Sequence, residues 1–416
     1  MRRNTLIMIG ACLVWQVPVG AQQADTGSVE LPENLYAALT APEPGYHVGA
    51  LRIMPELDIA YVYDSNPSCD DDNEPMSSMR VRPLLDLLLK GNDWRLDGKA
   101  WMSRDWVLGT VDANNQDDLS VTYGESLGAE VGSSTGTKLK LNESFEYQNR
   151  RDTVSSVGLG SNNALQDRYL LLLGAGVDKP VGEKTSLRMG TSYSDLWYDK
   201  TGLVGWQDAV GWQDAGAMLG VSRKLSEKSD ALVDLGYDNQ TSDGSDGEYQ
   251  CYRILAGFGS RRSAKTSYRA QIGMMAYAYT NGQTAASWTY NLSGNWRVAR
   301  RLIFDLSGAA NFQPSETGLN NYMLVQTLGA GVTFEATSRL TTGLHTVYRR
   351  EEYGNQDVVS GANRLDNQMA VQVRADYRVF HHTTVYVSAD ASQNNSTDDA
   401  AVYQRTVLQT GVNLVF

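Results

Sequence analysis

The residues best suited to catalysis are few and badly placed for it. Gly124-Glu125-Ser126-Leu127-Gly128 has the G-x-S-x-G spacing of a serine hydrolase, but that motif exposes its serine only on a sharp strand-to-helix elbow. Here the flanking residues alternate apolar and polar, which places Ser126 inside a strand. The chain has 4 histidines, His47, His345, His381 and His382, and a hydrolase needs one beside a serine or a carboxylate as general base. Only His345 falls in an alternating segment on the polar face, where a single imidazole reads as a hydrogen-bonded wall residue. His381 and His382 are neighbours in a turn and cannot both address one ion, and no Cys/His cluster has zinc spacing. Gly174 to Thr185 is glycine-rich but lacks the spacing of a phosphate loop. These residues predict no enzyme, no bound cofactor and no metal centre.

Other polar groups point to surfaces. Asp64, Asp70, Asp71, Asp72 and Glu74 crowd one segment without the glycine and bidentate glutamate of an EF-hand loop. They read as a solvated anionic loop that divalent cations can bridge to lipopolysaccharide. A formal net charge of −12 excludes a nucleic-acid partner, since phosphates would be repelled. Cys69 in the acidic loop and Cys251 at a strand start form a candidate disulfide, although the strand count below sets them nearly opposite one another.

The positions of these residues follow from a period of two. In Gln368 to Val379, Met369, Val371, Val373, Ala375, Tyr377 and Val379 share one face, and Gln368, Gln372, Arg374, Asp376 and Arg378 the other. Val385, Val387, Ala389 and Ala391 alternate with Tyr386, Ser388, Asp390 and Ser392. Leu302, Phe304, Leu306 and Phe312 oppose Asp305, Ser307 and Asn311, while Val81, Leu85, Leu87 and Leu89 oppose Arg80, Arg82 and Asp86. Leu139, Leu141, Phe145 and Tyr147 oppose Lys138, Lys140, Asn142 and Glu146.

Alternation alone suits either a soluble sandwich or an outer-membrane barrel. Three further observations select the barrel. Many segments exceed the usual soluble strand and suit a tilted bilayer crossing. Tyr61, Tyr63, Trp106, Tyr123, Tyr147, Tyr193, Trp197, Tyr237, Tyr279 and Tyr348 gather near the long connections, as an interfacial girdle does. The chain closes on Gly411-Val412-Asn413-Leu414-Val415-Phe416, an alternating strand whose final Phe resembles the assembly signal of bacterial outer-membrane barrels. No helical alternative exists, because past residue 20 the longest apolar run is Leu170 to Val177.

The N-terminus predicts export. Arg2 and Arg3, the apolar stretch Thr5 to Trp15 and Val19-Gly20-Ala21 make a signal peptide over residues 1–21. A lipoprotein box at Cys12 would leave too short an apolar stretch. Residues 22–46, with Pro32, Pro42 and Pro44, carry no strand pattern and read as a flexible periplasmic segment. Residues 47–416 then hold eight short turns, near Lys90, Gly132, Pro180, Ser226, Arg262, Val298, Ala336 and Phe380. Nine longer connections are centred near Asp70, Asn114, Ser156, Gly205, Gly244, Gln283, Ser315, Asn355 and Thr397. The expectation is an all-β, single antiparallel up-and-down transmembrane barrel of eighteen strands, with sixteen as the alternative. The candidate pore-lining residues are Arg80, Arg82, Asp86, Lys138, Lys140, Glu146, Asp234, Asp305, His345, Arg374, Asp376, Arg378 and Tyr386.

Leu51 to Asn66, LRIMPELDIAYVYDSN, resembles the opening strand of the β-barrel porin family found with exopolysaccharide synthesis and export genes. GVSRKLSEKSDALVDLGYDN and GVTFEATSRLTTGLHTVYRREEY are similar to repeating units of that family. The resemblance implies an outer-membrane porin of Gram-negative bacteria that secretes a biofilm polysaccharide with a periplasmic polysaccharide-export protein. A general diffusion porin for small solutes is the alternative, and an outer-membrane enzyme a weaker one.

Overall fold

The computed structural model describes residues 45–66, 75–108, 121–133, 136–156, 159–198, 211–242, 248–263, 265–279, 284–314, 322–356, 363–397 and 402–416. The leader over 1–21, Cys12, most of the 22–46 segment and the acidic loop with Cys69 lie outside the described residues.

The strands follow the alternation. They are β1 (Tyr46–Val48), β2 (Leu51–Asp64), β3 (Met76–Lys90), β4 (Trp94–Val107), β5 (Val121–Val131) and β6 (Lys138–Ser156). Next come β7 (Leu159–Pro180), β8 (Thr185–Tyr198), β9 (Trp212–Ser226), β10 (Ser229–Ser242), β11 (Tyr249–Ser263), β12 (Thr266–Tyr279) and β13 (Thr284–Ala299). The last are β14 (Leu302–Pro314), β15 (Tyr322–Glu335), β16 (Leu340–Gln356), β17 (Asn363–Phe380), β18 (Thr383–Ser396) and β19 (Tyr403–Val415). All 19 belong to one antiparallel sheet in which β19 pairs back onto β2, so β2 to β19 close an eighteen-stranded barrel. All eight short turns fall where alternation breaks in the sequence, and no hidden hairpin lowers the count to sixteen. The short β1 pairs only with the start of β2, and Gly49 (φ 64°) makes the turn between them. An L residue with a side chain rarely adopts that angle.

The two faces of the wall differ as a lipid-embedded barrel requires. Outward side chains such as Leu141, Ile254, Ile272 and Val373 are about half exposed, while the inward set is polar and more enclosed. Tyr123, Tyr147, Tyr169 and Trp197 run across four neighbouring strands as a chain of ring contacts with centroids 4.6, 5.0 and 5.3 Å apart. They lie on the side of the long connections, where amphipathic rings sit at headgroup level. No described helix is long and apolar enough to cross a membrane; the strands cross it.

One ladder is incomplete. β13 and β14 pair only from Ala299↔Leu302 to Asn291↔Ala309. The flanking ladders continue to Ala278↔Thr284 and to Pro314↔Tyr322. Alternation puts Phe312 on the lipid face, but it is only 8% exposed and packs against Tyr277. The physical reason is that the two wall segments overlap here, so a lipid-side residue of one lies under the other. Pro314 ends β14 beside this gap, where a missing N–H costs nothing.

Candidate functional site

Closing β19 onto β2 brings together residues from both ends of the chain. Glu56 and Asp58 (β2), Arg80 and Arg82 (β3), His345 (β16), Gln372 and Arg374 (β17), Tyr386 (β18), and Gln409 and Asn413 (β19) line a lumenal cavity of about 340 Å³. Each occupies an inward position of its strand, and Asp58 pairs with Arg82, and His345 with Gln372, across the ladders.

Internal bonds hold the site in shape. Tyr386 Oη donates to Asp58 Oδ2 at 3.0 Å, and the Arg374 guanidinium lies 4.1 Å from the centre of the Tyr386 ring. Arg374 also grips Asp376 at 2.8 to 3.1 Å. Arg80 forms a bidentate pair with Asp105 at 2.7 and 2.9 Å, the geometry that suits a guanidinium best. Arg82 stacks over Trp101 at 5.1 Å, and Asn413 donates to Glu56 at 2.5 Å. The Tyr386 ring lies across Gly411, in space that a Cβ would occupy. Arginine planes thus face the cavity with their orientations already set, a condition for selective rather than loose contact with a polar solute.

A second layer lies on the same wall, roughly 20 Å closer to the long connections at 3.4 Å per strand residue. Asp64 and Arg405 pair there, both under 9% exposed. Arg364 holds Asp366 at 2.7 Å, Ser396 donates to Asp366, and Tyr353 donates to the fully enclosed Glu351 at 2.9 Å. Charges this enclosed persist only when paired and hydrogen-bonded. Across the barrel, Asp234 takes Arg188 at 2.7 Å, Arg269 at 3.2 Å and Gln271 at 2.5 Å.

Of the thirteen candidate lining residues, Arg80, Arg82, His345, Arg374 and Tyr386 meet at the cavity and Asp376 supports it. Asp305 and His345 flank Gly331 and both reach over it. Asp86 faces Lys99 further towards the short turns, and Arg378 is exposed at that end. Lys138 pairs with Glu130 at 2.8 Å, and Lys140 with Asp178 at 3.7 Å. With Glu146, these belong to a different stretch of wall, as does Asp234. Sequence reasoning did not single out Asp58, Gln409, Asn413, Glu351, Asp366 or Arg405, and it read Asp64 as part of a solvated loop, whereas Asp64 ends β2 enclosed and paired with Arg405. All sit on the inward parity of strands already recognised, so alternation marked them without saying which would meet. Ser126 of the hydrolase-like motif lies mid-strand in β5, paired with Lys99 and Ser144. Cys251 is a buried free thiol, and Cys69 is outside the described residues. Among the described residues no group of His, Cys, Asp and Glu could hold a metal ion.

A closed barrel with a lipid-facing apolar wall, an aromatic belt and a polar lumen defines the class: the chain is a bacterial outer-membrane β-barrel. No family model matches the sequence, and no curated protein matches it. The fold is similar to the FrpB iron transporter from Neisseria meningitidis (F5-1 variant), with a TM-score of 0.51 at 9% identity over 88% of this chain and 82% of that one. It also matches the siderophore receptor PirA from Acinetobacter baumannii, at a TM-score of 0.44 and 7% identity over 87% of this chain and 80% of that one. The ferric-catecholate import receptor Fiu from E. coli K12 matches with a TM-score of 0.43 and 10% identity over 90% and 82%.

The expected polysaccharide-secreting porin finds no match: no family model fits the chain, and the FrpB barrel, at 9% identity a likeness of fold, is described as an iron transporter. The resemblance to the exopolysaccharide porin family rested on Leu51 to Asn66 and two later hairpin units, and no family model matches the chain.

Proposed function

We propose that this barrel takes up a small anionic solute, which it binds at the lumenal cavity before release on the periplasmic side. The observation that carries this reading is the convergence of Arg80, Arg82 and Arg374 on one cavity of about 340 Å³, a volume typical of small-molecule sites. Carboxylate and phosphate groups match the planar fork of a guanidinium, and Tyr386, Gln372, Gln409 and Asn413 add replaceable hydrogen bonds. Asp105 on Arg80 and Asp376 on Arg374 keep these guanidiniums oriented, so binding costs little reordering. The FrpB iron transporter, with a similar barrel, agrees with a transport role.

Uptake of labelled citrate and labelled glucose by liposomes containing the purified barrel tests this. Citrate should enter faster, and Arg374→Gln should slow citrate roughly tenfold, as loss of one charge-assisted hydrogen bond does, while leaving glucose unchanged. Equal entry of the two solutes, or citrate entry indifferent to Arg374→Gln, would rule the reading out.

A further inference from the structure

The gap between β13 and β14 is a property of the wall that the lumenal cavity does not use. Thr284–Tyr290 has no ladder partner in β14, roughly 24 Å of strand at 3.4 Å per residue. From lipid-facing Leu306 and Leu328, alternation places Phe312 and Leu324 on the outer face of the β14–β15 end. From lipid-facing Ile272 and Met274, it places Met275 and Tyr277 on the inner face of β12. These four side chains nevertheless pack together, so the β14–β15 end lies inside the β12–β13 end. Arg253 of β11 agrees, since its Nη1 reaches Asn311 of β14 at 3.4 Å across two intervening strands. Where a ladder would run, side chains make the join. Thr289 Oγ1 donates to the Ala310 carbonyl at 2.7 Å, and Tyr290 lies over Gly308 to donate to the Thr327 carbonyl at 3.3 Å.

We propose that this overlap is a lateral port through which a single-chain amphiphile passes between the outer leaflet and the lumen. The gap opens on the side of the long connections, level with the outer leaflet. The cluster between the overlapping faces is Tyr249, Cys251, Met275, Tyr277, Phe312 and Leu324, mostly apolar groups whose contacts an alkyl chain can replace. Parting the faces breaks side-chain bonds and no backbone ladder, so it is easier here than where a full ladder joins two strands. An open sheet edge is unfavourable in hydrocarbon, and the overlap shields it while keeping the join separable. At the inner mouth stand Asp214, Asp238 and Arg253, with Arg253 3.8 Å from Asp238.

The test uses the full-length barrel in phosphatidylcholine liposomes and a decyl glucoside tipped with a photoreactive diazirine. Labelled peptides should carry adducts on Met275, Tyr277, Phe312 or Leu324. Thr289→Cys with Ala310→Cys should lose most of that label when oxidised and regain it with dithiothreitol, while the wild type is unaffected by reductant. Tyr290→Phe, which folds without any new bond, should raise the label severalfold. Citrate uptake should be the same in stapled and reduced barrels, which separates this port from the cavity at Arg374. Label confined to Ile272, Met274 and Trp288, or label indifferent to both variants, would make the overlap a permanent joint.

Discussion

The Phe312 ring lies 4.5 Å from that of Tyr277, although alternation puts the first on the lipid side of β14 and the second on the lumen side of β12. Two opposite faces can meet only where the wall doubles over itself. The contact therefore identifies the overlap between β13 and β14 without reference to the backbone ladder, and the ladder independently ends at Asn291↔Ala309.

The enclosed pair of Asp64 and Arg405 sets a first prediction. Asp64→Asn leaves a guanidinium buried without its counter-charge and should cost about 3–5 kcal/mol, read as a lower temperature at which the folded band disappears on a denaturing gel. Asp64→Asn combined with Arg405→Met should recover most of the loss. If the single variant melts like the wild type, the pair is not enclosed as described.

The two faces of β6 should respond oppositely to the same charge. Leu141 is 48% exposed on the lipid face, and Leu141→Arg should destabilise the barrel by about 2–4 kcal/mol in a bilayer. Ser144→Arg, on the lumen face, should cost much less. Reversible unfolding by denaturant in lipid vesicles measures both, and equal effects would invalidate the assignment of faces.

Backbone crowding gives a third. A Cβ at Gly273 would fall on the Ile254 carbonyl, whereas at Gly176 its nearest neighbour is Met189 O at 3.7 Å. Gly273→Ala should part the β11–β12 ladder and reduce the yield of folded barrel, at a cost of about 1–3 kcal/mol, while Gly176→Ala should fold normally. Comparable yields would show that β11 and β12 adjust freely.

Tyr386→Phe should separate stability from selectivity. The ring under Arg374 remains and only the bond to Asp58 is lost, so stability should fall by about 1.5–3 kcal/mol, the range for a hydrogen bond to a charged group. Citrate uptake should fall less than in Arg374→Gln. A larger effect on uptake than that of Arg374→Gln would move the binding role from the guanidinium to the hydroxyl.

Local periodicity carried most of the fold. Val385, Val387 and Ala389 alternate with Tyr386, Ser388 and Asp390 because a strand between lipid and lumen must place a side chain in each medium in turn. The short turns at Lys90, Pro180 and Phe380 were visible for the same reason: alternation stops where a strand leaves the bilayer. Even the inward orientation of Arg80, Arg82 and Arg374 was legible one strand at a time.

What the chain alone determined, then, is which side of the wall each residue faces, because that follows from neighbours two positions away. Tertiary structure decided which inward residues meet. Asp58 receives its hydrogen bond from Tyr386, 328 positions along the chain, and no local pattern encodes the closure of β19 onto β2 that joins them. The overlap at Phe312 was invisible for the same reason, since it depends on a ladder that stops early rather than on any change in alternation. Function followed the same division: a resemblance of local segments suggested a polymer channel, and only the assembled barrel brought Arg80, Arg82 and Arg374 to one cavity.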